Sequence, residues 1–110
     1  MKAPTFALNT SRVESSESGV NRDTTEGKCN VDLIWDGPML MRWAWLLTKG
    51  VDARGKRNWM NASSPEDLER FQESASRHFA QWRAGETDED HAAAIFFNVN
   101  GVEYTKARLL

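Results

Sequence analysis

Two histidines, an amide and a group of acids are the residues of this 110-residue chain with the most chemical potential. They are His78, His91 and Asn98, with Glu73 and the run Glu86, Asp88, Glu89 and Asp90. Imidazoles serve as metal ligands and as general bases near neutral pH, carboxylates hold hard divalent cations, and an amide can orient a ligand or a substrate. Phe71, Ala75, His78 and Trp82 step as i, i+4, i+7 and i+11, and His91, Ile95, Asn98 and Val102 repeat that pattern. If two helices carrying these stripes fold back near Gly85-Glu86, His78 falls level with roughly Ala92 to Ala94 and Asn98 with roughly Glu73 to Ala75. Two imidazoles and an amide then share one seam, with Glu73 at its edge. Buried polar groups are costly unless paired. The seam therefore holds either a self-satisfied polar network or a site built between facing helices.

Other residues carry weaker signals. Glu86, Asp88, Glu89 and Asp90 either cap a helix start or give one or two oxygen ligands to a divalent cation. Lys56 and Arg57 either stay solvated or contact a phosphate. The chain has no HExxH, P-loop, GxSxG or paired CxxC motif.

These side chains need helices to position them. Asp36-Gly37-Pro38 marks a turn and a helix start, and a first helix is expected from about Pro38 to Lys49, stopped by Gly50. Its interior, Met39 to Leu47, is apolar nearly all round, which suits a central helix or one half in an oligomer interface. A basic connection follows. The second helix begins at Ser64-Pro65-Glu66-Asp67, with Ser64 as N-cap and Asp67 at the capping-box position. Leu68, Phe71, Ala75, Phe79 and Trp82 form its apolar stripe, and Gly85 ends it. The third helix begins after Thr87, with Asp88, Glu89 and Asp90 in its first turn, and continues to about Tyr104 or beyond. Val31 to Trp35 is short and apolar, and is either a strand or an extended lead-in. Residues 1 to about 30 read as a flexible or extended tail, because Ser11 to Gly19 is polar and aperiodic and buries too little to offset its ordering entropy. The expectation is an all-α domain over 31–110, a small bundle with a long antiparallel helical hairpin.

A formal net charge of −2 gives no basic excess for non-specific nucleic-acid binding, so no nucleic-acid partner is expected. Cys29 is a lone cysteine and cannot pair internally. With no apolar leader and no run near the ~18 residues of a membrane span, a cytoplasmic location without membrane contact is expected.

Several segments together resemble one family. Arg22-Asp23-Thr24-Thr25-Glu26-Gly27-Lys28 with Asp32-Leu33-Ile34, then Gly55-Lys56-Arg57-Asn58-Trp59, then Arg77-His78, Gly85-Glu86, Asp88 to Ala94 and Asn98, are similar in order and spacing to phage and prophage dATP/dGTP diphosphohydrolase N-terminal domains. The resemblance implies an α-helical fold akin to MazG-like nucleotide pyrophosphohydrolases. It also implies a (d)NTP substrate, Mg²⁺ or Mn²⁺ as cofactor, and a host-cytoplasm setting if the chain is phage-encoded. By that resemblance Glu73, Glu89, Asp90 and His91 are metal ligands, and Glu73, His78, Asp90 and His91 form the catalytic set. Lys56, Asn58, Trp59 and Asn98 approach the substrate. The sequence departs from the family in its first helix, which carries no acid over Met39 to Lys49, and at Phe97, where a Trp is usual. Two functions follow: a metal-dependent (d)NTP pyrophosphohydrolase, or a catalytically degenerate nucleotide-binding or protein-interaction module. The apolar first helix further suggests a homo-oligomer that buries residues 38–49.

Overall fold

The computed structural model describes residues 13–15, 17–24 and 26–110. Residues 1–12, 16 and 25 of the expected tail lie outside the described residues. The chain divides into two units, Met1–Asp36 and Gly37–Leu110.

In the first unit, strands β1 (Val13–Ser15) and β2 (Asn21–Asp23) pair antiparallel, with Val13 opposite Asp23 and Ser15 opposite Asn21. Gly19, at φ 86°, gives the connection the positive φ that glycine adopts at least cost. Val31–Asp36 is a 3₁₀ helix and not an extended lead-in. Asn30 explains the choice: its Oδ1 accepts from the Asp32 amide (3.2 Å) and its carbonyl from the Leu33 amide (3.3 Å), which closes the first turn.

The second unit is helical, and the fold is all-α. Helix α1 spans Met39–Arg54, five residues past its expected end. Gly50 does not stop it, because an interior glycine costs only about 1 kcal/mol. Gly55 ends it instead, at φ 88° and with its amide on the Val51 carbonyl. A 3₁₀ turn follows at Asn58–Asn61.

Helix α2 spans Pro65–Arg83. Ser64 caps it by accepting from the Asp67 amide (3.1 Å), and Asp67 Oδ2 reaches back to the Ser63 amide (3.0 Å), a capping box displaced by one residue. Its end is a Schellman motif. Glu86 N donates to Gln81 O and Gly85 N to Trp82 O (both 3.1 Å), with Gly85 at φ 78°.

Helix α3 spans His91–Leu109. The acids expected in its first turn precede it. Asp90 is the N-cap, accepting from the Ala93 amide at 3.0 Å, because a carboxylate placed there satisfies an amide that has no partner within the helix.

Helices α2 and α3 form the long antiparallel hairpin. His78 meets His91 near the loop, Phe71 packs on Phe97 and Gly101 further along, and Tyr104 and Arg108 reach the Met60 carbonyl at the far end. The α3 face turned inward is His91, Ala94, Asn98, Gly101 and Thr105, every one buried. These step by three and four, a seam of small and polar residues that lets the helices approach closely. Ile95, expected on that face, is only half-buried. On α2 the inward stripe is Leu68, Phe71, Ser74, Ala75, His78 and Gln81, each partly covered and none fully buried. Phe79 and Trp82 depart from expectation: they are 48% and 50% exposed and lean on each other at 5.6 Å. The seam is one stripe wide, and these two residues sit beyond its edge.

Helix α1 packs on α3 through Trp43, edge-on to Phe96 at 6.4 Å, and through Arg42, which reaches Asp90. No residue of α1 is buried, and Met41 and Trp45 are 54% and 62% exposed. Among the described residues no helix is long and apolar enough to cross a membrane.

Candidate functional site

The start of α3 gathers the site. His91, its first residue, is 2% exposed, and both ring nitrogens are engaged. Its Nε2 lies 2.7 Å from Asp88 Oδ1, and its Nδ1 lies 2.9 Å from Nδ1 of His78. The Asp88 carboxylate can only accept, so His91 donates from Nε2, and in its neutral tautomer the ring presents a lone pair at Nδ1. His78 then donates from its own Nδ1 to close the chain. Glu89 Oε1 lies 3.7 Å from that same His78 nitrogen.

Burial, above all, lowers the His78 pKa, with Arg77 and His91 adding to the effect and Glu89 opposing it. His78 is therefore neutral near pH 7. The hydrogen bond from His91 is the main cause that holds Asp88 below the usual carboxylate range.

Asp90 has a different task. Arg42 of α1 grips it through two bonds, Nε to Oδ2 at 2.8 Å and Nη2 to Oδ1 at 2.6 Å. Together with the cap to Ala93, this lowers its pKa to about 2. The ionised carboxylate thus stabilises the fold fully above its unfolded value of 3.8, and that contribution is lost as pH falls through about 2. Both partners are more than one-third exposed, so screening leaves about 1 kcal/mol of the larger linkage value. Asp90→Asn, which keeps a capping oxygen, is expected to lower stability by about 1 kcal/mol at pH 7. Asp90→Ala should cost about 1 kcal/mol more. Urea melts at pH 7 and pH 2 check this: the Asn variant should match the unsubstituted protein at pH 2, and a gap persisting there would disprove the ion-pair assignment.

A broad groove of about 1360 Å³, open to solvent, runs from this cluster along α1 and the following loop. His78, Asp88, Glu89 and Asp90 line it, as do Arg54, Lys56, Arg57, Asn58 and Trp59, while His91 does not. Arg57 takes a left-handed backbone at φ 58° as the 3₁₀ turn begins, and Trp59 packs edge-on against Tyr104 at 5.0 Å. Asn98 also lines the groove, but its Nδ2 donates to the Ala94 carbonyl of its own helix at 2.8 Å. Glu73 is exposed on α2 and neither lines the groove nor joins the histidine cluster. Helix α1, longer than expected, does contain one acid, Asp52, which is not among the residues lining the groove.

The sequence pattern named Asp88 as a cap or cation ligand but not as the partner of His91, and it gave Arg42 no role. Asp88 orients His91, and the i, i+3 spacing from Asp88 to His91 was the available signal. Arg42 neutralises Asp90, and a single cation inside an apolar helix was the sign that a partner must exist.

His78, Glu89 and His91 offer ligand atoms that all lie within 4.8 Å of one another. Two imidazoles and one carboxylate fit a divalent ion that accepts nitrogen, Mn²⁺ included, and fit poorly with Mg²⁺, which favours oxygen and keeps its waters.

The unit is thus a helical-hairpin domain with a histidine–carboxylate cluster at the mouth of a basic, open groove. The family model described as dATP/dGTP diphosphohydrolase, N-terminal, matches residues 18–106, and the chain belongs to that family. Neither the curated proteins nor the solved structures provide a match to this chain.

Proposed function

We propose that the domain binds a purine deoxynucleoside triphosphate in the groove and hydrolyses it to monophosphate and pyrophosphate with a divalent cation. The observation that carries this is the shared groove: cations that suit phosphates line it, and so do His78 and Glu89, two of the three residues of a metal-competent cluster whose third member, His91, is buried behind them. Arg54, Lys56 and Arg57 would take the phosphate oxygens, and Asn58 and Trp59 would meet the nucleoside. His78, Glu89 and His91 would hold the ion, which when bound neutralises phosphate charge and acidifies a water. Water adds to the α-phosphorus, the bond from that phosphorus to the α–β bridging oxygen breaks, and pyrophosphate leaves.

Incubation with dATP or dGTP and Mn²⁺ tests this. Monophosphate and pyrophosphate in equal amounts are expected, with KM raised at least tenfold in a variant carrying both Lys56→Glu and Arg57→Glu. Nucleotide bound but not hydrolysed would leave the second function, a binding module. One observation favours that alternative: Arg42 occupies Asp90, and the only acid of α1 lies off the groove.

Homo-oligomerisation through α1 belongs to the same proposal. Exposed Met41 and Trp45 on a helix without a single buried residue match an interface. Light scattering should show a dimer or larger species, and Trp45→Glu should shift it to monomer. A monomeric mass for the unsubstituted protein would refute this.

A further inference from the structure

We infer that His78, His91 and Glu89 form a site for a nitrogen-accepting first-row transition ion, with Asp88 as its positioning residue, and that Mg²⁺ is not the ion this site selects. The inference deepens the proposed function. It is read by binding and not by turnover, so either can fail alone.

The contact between Asp88 and His91 is the first support. With the His91 Nε2–H committed to Asp88 at 2.7 Å, the Nδ1 lone pair of the neutral ring is aimed at Nδ1 of His78. Metal-bound histidines usually donate their second nitrogen to a carboxylate in this way, which fixes the ring and strengthens the ligating nitrogen. Here that outer bond is already made, on a ring that is 2% exposed and has no room to turn.

The second support is the spacing. Two lone pairs facing at 2.9 Å repel unless a positive centre lies between them. In the hydrogen-bonded form it is the shared proton. A cation about 2.1 Å from each nitrogen would span the same gap, close to the ~3.0 Å edge of an octahedral ion. Glu89 Oε1, 3.7 Å from the His78 nitrogen and on a side chain 55% exposed, can swing in as the third ligand.

The third support is what the site lacks. Oxygen-rich coordination would need further carboxylates, but Asp90 is held by Arg42 and by its cap, and Asp88 is held by His91. The donors left are two nitrogens and one oxygen, with open positions for water or phosphate.

Titration of the full chain with Co²⁺ tests the inference, followed by visible absorption and calorimetry, with millimolar Mg²⁺ present throughout. One Co²⁺ per chain should bind at micromolar or lower Kd, with ligand-field bands of mixed nitrogen–oxygen coordination. His78→Ala and Glu89→Gln should each weaken binding at least tenfold. Asp88→Asn should weaken it 10–100-fold, shift the bands, and be partly rescued in Asp88→Glu. Glu69→Gln, on the exposed face of α2, should leave binding unchanged, and far-UV circular dichroism confirms that each variant is folded. Co²⁺ displaced by millimolar Mg²⁺, or binding indifferent to His78→Ala and Glu89→Gln in folded protein, overturns the inference. Tight Co²⁺ binding without nucleotide hydrolysis would uphold it while removing the enzymatic proposal.

Discussion

Replacing His91 with alanine is expected to cost the fold about 2–3 kcal/mol, roughly 10–20 °C in melting temperature for a unit of this size. The imidazole is 2% exposed and ties two partners at once, His78 at 2.9 Å and Asp88 at 2.7 Å. Its loss takes the 2.9 Å partner from His78, a side chain only 12% exposed, leaving Glu89 Oε1 at 3.7 Å as the nearest replacement, and the cost of that weaker pairing comes on top of the cavity. Asp88, 64% exposed, can return to water and adds little. His78→Ala removes one end of the chain and not its middle, so it should cost about half as much. Chemical denaturation of both variants decides the matter: a loss below about 0.5 kcal/mol for His91→Ala, or a greater loss for His78→Ala, would show that His91 does not organise the seam.

The hairpin could be read in the sequence because its signals are local. Ser64-Pro65 and Gly85 punctuate α2 through caps that form whatever packs nearby. The three-and-four spacing that placed His78 and His91 on facing stripes depends only on helix geometry. What could not be read required a third dimension. Stopping α1 at Gly50 relied on glycine being rare inside helices, whereas Gly55 had the stronger claim: of the two, it takes the positive φ that ends the helix. Phe79 and Trp82 fit the α2 periodicity as well as Phe71 does, but periodicity cannot tell how wide a stripe the partner covers, and the seam is narrow because α3 lines it with small residues.

The site shows the same division. Glu73 is one position from Ser74, about 100° further round the helix, which separates a residue lining the groove from one facing water. Asp88, Glu89 and Asp90 look alike in sequence, and their partners give them three tasks: Asp88 orients His91, Glu89 stands beside His78, and Asp90 joins α3 to α1 through Arg42. The long-range Arg42 contact is what separates Asp90 from its neighbours, and no local pattern encodes it.

Gly101 makes the second large prediction, and it runs against helix propensity. Alanine is preferred over glycine inside a helix by about 1 kcal/mol, so Gly101→Ala would stabilise α3 in isolation. In the hairpin, a Cβ there would lie 2.6 Å from Cδ1 and Cε1 of Phe71 and 2.8 Å from its Cγ. Cγ is the anchored end of the ring and cannot swing aside, so either the ring leaves its rotamer or the helices part. Overpacking of this kind costs about 1–3 kcal/mol, enough to reverse the propensity gain. A net loss of about 1–2 kcal/mol is therefore expected for Gly101→Ala. Phe71→Leu should weaken the otherwise unsubstituted protein, yet recover part of the loss when combined with Gly101→Ala, where the smaller side chain makes room. Because Gly101 lies on the same α3 stripe as His91, parting the helices there should also loosen the His78–His91 contact and lower Co²⁺ affinity. A double-mutant cycle by urea denaturation measures the coupling. Additive effects, or a Gly101→Ala variant more stable than the starting protein, would mean that α2 and α3 do not approach as closely as the Phe71–Gly101 contact requires.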